Sequence, residues 1–326
     1  MEKNIYQLDA ALARPLAPTT VRSEVLEIGA ISGLANAELA LWVKKSGRST
    51  GYTTGRVAVI GATVNIGFSF GRSAQFTQQI ITSKMGEAGD SGSLLLDGAN
   101  RAVGLLFAGS AKATIFHPIA DVLQALNIRL TTHADTLLPQ ENGEFRSLFE
   151  LCQFRGKELL QLPNVVGVGI GKKIKADHDT GKLCITVLVA RKLAATLLRE
   201  EEIVPAMVGA IPTDVVESGR LTADFQGVCT NQRLDRRVKM RPAQPGISIG
   251  HYFASTGTFG AVAYDNQSGE KVILSNNHVL ANATNGSDSL ARVGDPILQP
   301  GKQDGGQQPG DVIGTLLRVA PLHFLK

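Results

Sequence analysis

Short runs of Val, Ile, Leu and Phe, each bounded by glycine, asparagine or aspartate, fill both ends of this chain. "GRVAVIGATVNIGFSFG" is a long strand-forming run. "SLLLDGANRAVGLLFAGSA" reads as a hairpin with Asp-Gly at its turn. Residues 246–326 repeat the pattern in "GISIGHY", "TGTFGAVAYD", "KVILSNNHVLA", "GDPILQP" and "DVIGTLLRVAPL". Many short strands at this spacing imply β-barrels. "HPIADVLQALNIRL" carries apolar residues at helical spacing and closes the first β region with a short helix.

The middle of the chain differs. "FRSLFELCQFRGKELLQ" reads as a helix. "NVVGVGIGKKI" and "KLCITVLVARKL" read as strands joined by the turn "KADHDTGK". "AATLLREEEIV" is expected to be a helix, and "AIPTDVVESG" a further strand. These expectations give a mainly β fold: two six-stranded barrels and a small α/β unit. The boundaries are 21–133 for one barrel, 145–224 for the α/β unit, 225–245 for a linker and 246–326 for the second barrel. That last stretch holds five strands, one short of a closed six-stranded barrel. "QLDAALARPL", within residues 1–20, supplies the sixth. It either folds back onto its own barrel or inserts into a neighbour's, which would make a strand-swapped homo-oligomer.

With 33 basic and 29 acidic residues the net charge is +4, too small to imply nucleic-acid binding. The one basic cluster, "QRLDRRVKMRP", is short, contains an acid and reads as solvated linker. Cys152, Cys184 and Cys229 are sparse and odd in number, which argues for reduced thiols and against a zinc site. No basic region followed by an apolar core opens the chain, and no run of about 18 apolar residues occurs. The expectation is a cytoplasmic protein with no membrane partner, cofactor or metal.

Three residues carry the chemistry. Ser91 lies in "GEAGDSGSLLLDG", His278 follows the strand "KVILS", and Asp9 opens a strand-like run. A serine hydroxyl becomes nucleophilic when a base takes its proton. Histidine is that base near neutral pH, and a buried aspartate fixes its tautomer. All three candidates fall at predicted strand ends. Gly89 lets the backbone turn so that its N–H and that of Ser91 meet at one point, an oxyanion hole. Asp90 then serves as a structural acid within the loop.

"GDSGS" with "LSNNHVLANATN" resembles the nucleophile and histidine loops of chymotrypsin-like serine peptidases. With "LPNVVGVGIGKKI", "GDPILQPGKQDGG", "KSGRSTGYTTG" and "VGLLFAGS", the chain resembles a bacterial and plant family of trypsin-like peptidases that includes the plant narrow-leaf protein. That family reads His, Asp, Ser, with its serine barrel last. This chain reads Asp9, Ser91, His278, which is the same cycle started elsewhere: a circular permutation. The resemblance implies peptide-bond hydrolysis on protein or peptide substrates through an acyl-enzyme. It places Phe107, Ala108 and Gly109 on the strand that pairs with substrate, and Met85 at the base of the specificity pocket. No acid stands there, so cleavage after Arg or Lys is not expected. A protease-fold scaffold without turnover and an esterase with the same triad are the alternatives.

Overall fold

The computed structural model describes residues 7–130, 143–175, 178–223 and 235–325. Strand β1 (Ala11–Pro15) is followed by β2 (Gly33–Leu34), β3 (Trp42–Gly47), β4 (Gly51–Gly67), β5 (Ser73–Ser83), β6 (Leu94–Asp97), β7 (Arg101–Gly109) and β8 (Ala113–Pro118). Helix α1 (Ile119–Ala125) and β9 (Ile128–Leu130) come next, then α2 (Gly143–Leu159), β10 (Val165–Lys175), β11 (His178–Val189), β12 (Met207–Val208) and β13 (Ile211–Glu217). The last stretch holds β14 (Ser248–His251), β15 (Thr256–Thr258), β16 (Ala261–Asp265), β17 (Lys271–Ser275), the single turn α3 (Asn277–Leu280), β18 (Pro296–Leu298) and β19 (Val312–Val319). The fold is mainly β, as expected.

Two closed rings of six strands organise it. In the first, β3, β4, β5, β8, β7 and β6 pair in that order, and β6 returns to β3. In the second, β15 and β16 form one bent strand that pairs with β14 on one side and β17 on the other. The ring then runs β14, β18, β19, β1 and β17. Strand β1 is therefore the sixth strand that the C-terminal region lacks, and it closes the barrel of its own chain. Its partners are Ala11↔Ser275 on one edge and Ala11↔Val319 on the other. The two-residue period of the strand sorts its side chains. Ala11 and Ala13 join the cluster containing Ile249, Phe259 and Ile273. Ala10 and Leu12 join the cluster shared with Leu94, Leu105 and α1.

The units are less separate than the sequence suggests. Strand β9, which follows the serine barrel in the chain, pairs with β16 of the other barrel. Strand β10 pairs with β4, so the α/β unit extends the serine barrel's sheet. Within that unit β11 and β13 run parallel, and residues of α2 pack with β10 and β11 in one apolar cluster.

Local expectations hold for α2, the β10–β11 hairpin and β13. The helix expected in "AATLLREEEIV" does not form; only two 3-10 turns, Ala195–Leu197 and Glu200–Glu202, appear there. Neither turn has a buried residue. Isolated helices this short are not stable without a packed face. The linker also departs from expectation at Arg236. Its side chain is among the largest that are fully buried, paired with Glu27 and donating to Ser46 Oγ and Gly246 O. Cys152 and Cys184 carry free thiols, and burial pushes the Cys152 thiol up to about 12. Cys229, and residues 225–234 of the linker, lie outside the described residues.

Leu12 is fully buried on β1. Leu12→Ala is expected to cost about 2–5 kcal/mol in chemical denaturation. Removing residues 1–15 should do more, exposing the edges of β17 and β19 to pairing with other chains. Calorimetry and size-exclusion chromatography would then show a lost transition and self-association; a truncated monomer with the parent's melting temperature would contradict the closure.

Candidate active site

Asp9, two residues before β1 in the buried run that starts at Leu8, is fully buried. His278 sits in the turn α3 directly after β17, and β17 pairs with β1, so the two strands bring the residues together. Asp9 holds His278 at two points. Its Oδ1 accepts the His278 backbone N–H at 3.0 Å, and its Oδ2 lies 2.5 Å from Nδ1. An ionised carboxylate only accepts, so Nδ1 carries the proton and Nε2 is left with its lone pair. Asn276 Nδ2 donates to the Asp9 carbonyl at 2.6 Å and fixes the same segment from behind. Phe68 presents itself edge-on to the imidazole, with ring centroids 6.5 Å apart.

The fourth hydrogen bond of Asp9 reaches the other barrel. Its backbone N–H donates to Nε2 of His117 at 2.9 Å, and His117 lies in β8. His117 Nδ1 is 2.7 Å from Gln79 Oε1, so Nδ1 carries the proton there too. The ring is stacked on Phe107, with centroids 3.7 Å apart. Burial drives its pKa down to about 3, with Asp9 pulling upward and His278 pushing down. His117 is a neutral linchpin between the barrels.

Ser91 lies in the loop between β5 and β6. Gly89 has φ +89°, a conformation that favours glycine, and a Cβ there would stand 2.2 Å from Arg48 Nη1. Among the described residues, neither the Gly89 nor the Ser91 amide donates a hydrogen bond. The Ser91 carbonyl accepts the Thr258 N–H at 2.8 Å. Gly257 permits the close approach: a Cβ there would meet Val279 Cγ2 at 2.4 Å and Ser91 O at 2.8 Å. The chain beside His278 and the nucleophile candidate thus converge on one backbone position.

Asp90 builds the loop. Its Oδ1 accepts the Ser49 and Thr50 amides at 2.8 and 3.1 Å. Its Oδ2 accepts the Glu87 amide at 2.9 Å, the Thr50 hydroxyl at 2.6 Å and Lys45 Nζ at 3.1 Å. Both members of the Lys45–Asp90 pair are fully buried. Burial alone would raise the Asp90 carboxyl; Lys45, the Thr50 hydroxyl and the Glu87 and Ser49 amides outweigh it and hold the pKa below the usual range.

The expected substrate residues divide into side chains and backbone. The Met85 side chain is buried among Val57, Val103 and Leu106 in the barrel core. Phe107 and Ala108 are fully buried in a second cluster. Gly109, at the end of β7, offers a backbone edge: its N–H donates to Thr222 O and its carbonyl accepts Thr222 N–H, both at 3.0 Å. Sequence reasoning missed His117, Gln79, Lys45 and Phe68. Among the described residues, no group of three or more His, Cys, Asp or Glu converges as metal ligands would. Nor is any helix there long and apolar enough to cross a membrane.

No family model matches the chain. Among solved structures it is similar to Cellulomonas bogoriensis chymotrypsin, at 29% identity over 29% of this chain and 52% of that one, with a TM-score of 0.26. It is also similar to a glutamic-acid-specific serine protease described as using a histidine triad in substrate binding. That match has 27% identity over 32% of this chain and 57% of that one, with a TM-score of 0.27. The chain spans little more than half the length of each.

Two expectations follow from these buried charges. Lys45→Met leaves Asp90 buried without its counter-charge and should destabilise the fold by about 3–5 kcal/mol in urea. His117 binds its proton near pH 3 when folded and near 6.5 when unfolded. The unfolded chain therefore holds more protons between those values. Its contribution is complete above pH 6.5 and declines by about 1.4 kcal/mol per pH unit as pH falls toward 3. Imidazole nitrogen NMR should find His117 neutral at pH 5; a protonated ring at that pH would contradict the assignment.

Proposed function

We propose that the chain is a serine endopeptidase in which Ser91 is the nucleophile, His278 the general base and then acid, and Asp9 the group that orients it. The observation that carries this reading is the two-point hold of Asp9 on the His278 backbone and Nδ1. That hold leaves Nε2 as the basic nitrogen. Ser91 Oγ attacks the peptide carbonyl carbon while Nε2 takes the hydroxyl proton. The oxyanion receives the amides of Gly89 and Ser91. His278 then gives the proton to the leaving amine. A water, deprotonated by the same nitrogen, releases the acyl group from Ser91. Asp9 stabilises the imidazolium in both halves.

One feature favours a peptide over a small ester: Gly109 ends a strand whose edge forms a two-bond antiparallel pair with an extended segment. The order Asp9, Ser91, His278 is, on this reading, a circular permutation of the chymotrypsin-like order, made workable by the position of β1 between β17 and β19.

Ser91→Ala should abolish peptide hydrolysis and fluorophosphonate labelling while leaving the unfolding transition in place. Asp9→Asn should lower turnover by about 10⁴-fold through the wrong imidazole tautomer. Mass spectrometry that places the fluorophosphonate on a residue other than Ser91 would sink the reading.

A further inference from the structure

An extended segment of the chain itself lies against Ser91. Strand β13 leaves the α/β unit at Glu217, where Lys112 Nζ pairs with its carboxylate at 2.5 Å. Ser110 then donates its hydroxyl to the Ser218 carbonyl, tying the exit to the residue after β7. The next residues run as an extended segment between two strand ends. On one side Thr222 exchanges two hydrogen bonds with Gly109 in antiparallel register. On the other, the Gly67 amide donates to Leu221 O and the Ala223 amide donates to Gly67 O, both at 3.0 Å. The segment ends against the nucleophile candidate: Ser91 Oγ donates to the Ala223 carbonyl at 3.5 Å.

Side chains follow the two-residue period of an extended strand. Leu221 and Ala223 are buried in the cluster that holds Phe68, Phe107, Ala283 and Leu322. Thr222 between them is only partly buried. Main-chain bonds supply the hold and alternate apolar side chains supply the selectivity, which is how an added strand is recognised at a sheet edge. The Ala223 contact engages Ser91 through the carbonyl oxygen and not the carbonyl carbon, so the geometry is that of an occupant and not of a bond about to be cut.

We propose that Leu221–Ala223 is a tethered pseudosubstrate that fills the strand slot beside Ser91, keeps it closed to incoming peptides, and reports its preference for two apolar residues flanking a partly buried one. The α/β unit is then the regulator of the site, because it delivers the segment. Suppression of turnover rests on the reading of Ser91 as nucleophile; occupancy of the slot does not.

The test separates the two. In a Ser91→Ala background, binding of a fluorescein-labelled Gly-Arg-Leu-Thr-Ala peptide is followed by anisotropy. Thr222→Pro removes the N–H that bonds Gly109, and Leu221→Asp removes the apolar anchor. Either change should tighten peptide binding about ten-fold or more, since the slot no longer has a resident competitor. In the Ser91 chain the same changes should speed fluorophosphonate labelling by a similar factor. Unchanged peptide affinity in both variants overturns the pseudosubstrate. Tighter binding without labelling of any variant upholds it and removes Ser91 as nucleophile. Should both variants fail to fold, hydrogen exchange on the Ser91→Ala chain decides: excess peptide must strip protection from the Thr222 amide, and protection that persists beside bound peptide overturns the proposal.

Discussion

Strand β1 is hydrogen-bonded along both edges, and the position of Asp9 depends on that. With β17 on one side and β19 on the other, the barrel is closed and β1 has no freedom to slide. A slip of one residue would exchange the face bearing Ala10 and Leu12 with the face bearing Ala11 and Ala13. The two faces meet different clusters, one within the barrel and one shared with the serine barrel and α1. Register is thus set by packing on both sides. Asp9 inherits that register, and its carboxylate reaches His278 while its amide reaches His117.

The electrostatics of the serine loop follow a different rule. A buried lysine–aspartate pair is costly to desolvate, and its attraction offsets the cost only when further hydrogen bonds complete both groups. Asp90 meets that condition with two hydroxyl or ammonium donors and three amides. What results is a loop whose shape is fixed by its own barrel. Arg236 repeats the device at Gly246 and Ser46, fastening the region before β14 to the end of β3.

Much of this was legible from local pattern. Glycine-bounded strands, the Gly-Asp-Ser-Gly loop and the histidine after "KVILS" are short-range signals, and the missing sixth strand followed from counting. What escaped notice depends on distant partners. Lys45 sits in a Lys-Lys pair, and only the phase of β3 decides which of the two points inward. His117 has no motif around it; its partners are Asp9 and Gln79, 108 and 38 residues away. Met85 is expected at the base of a specificity pocket and Phe107 on a strand whose backbone pairs with substrate; the side chains of both lie in apolar clusters, where burial of large apolar groups places them. The unformed helix in the α/β unit has good local propensity, but neither of its two short turns buries a residue to hold a helical face.

The crossover of β9 has a mechanical meaning. The serine barrel's segment of chain begins just after β1 and ends just before β9, and both of those strands are woven into the other barrel's sheet. Its two ends are anchored in the neighbour, like a loop of cloth sewn down at both hems. A hinge between the barrels must therefore act at both seams at once, and it must also part the apolar cluster in which Leu12 meets Leu94, Leu105 and Val122.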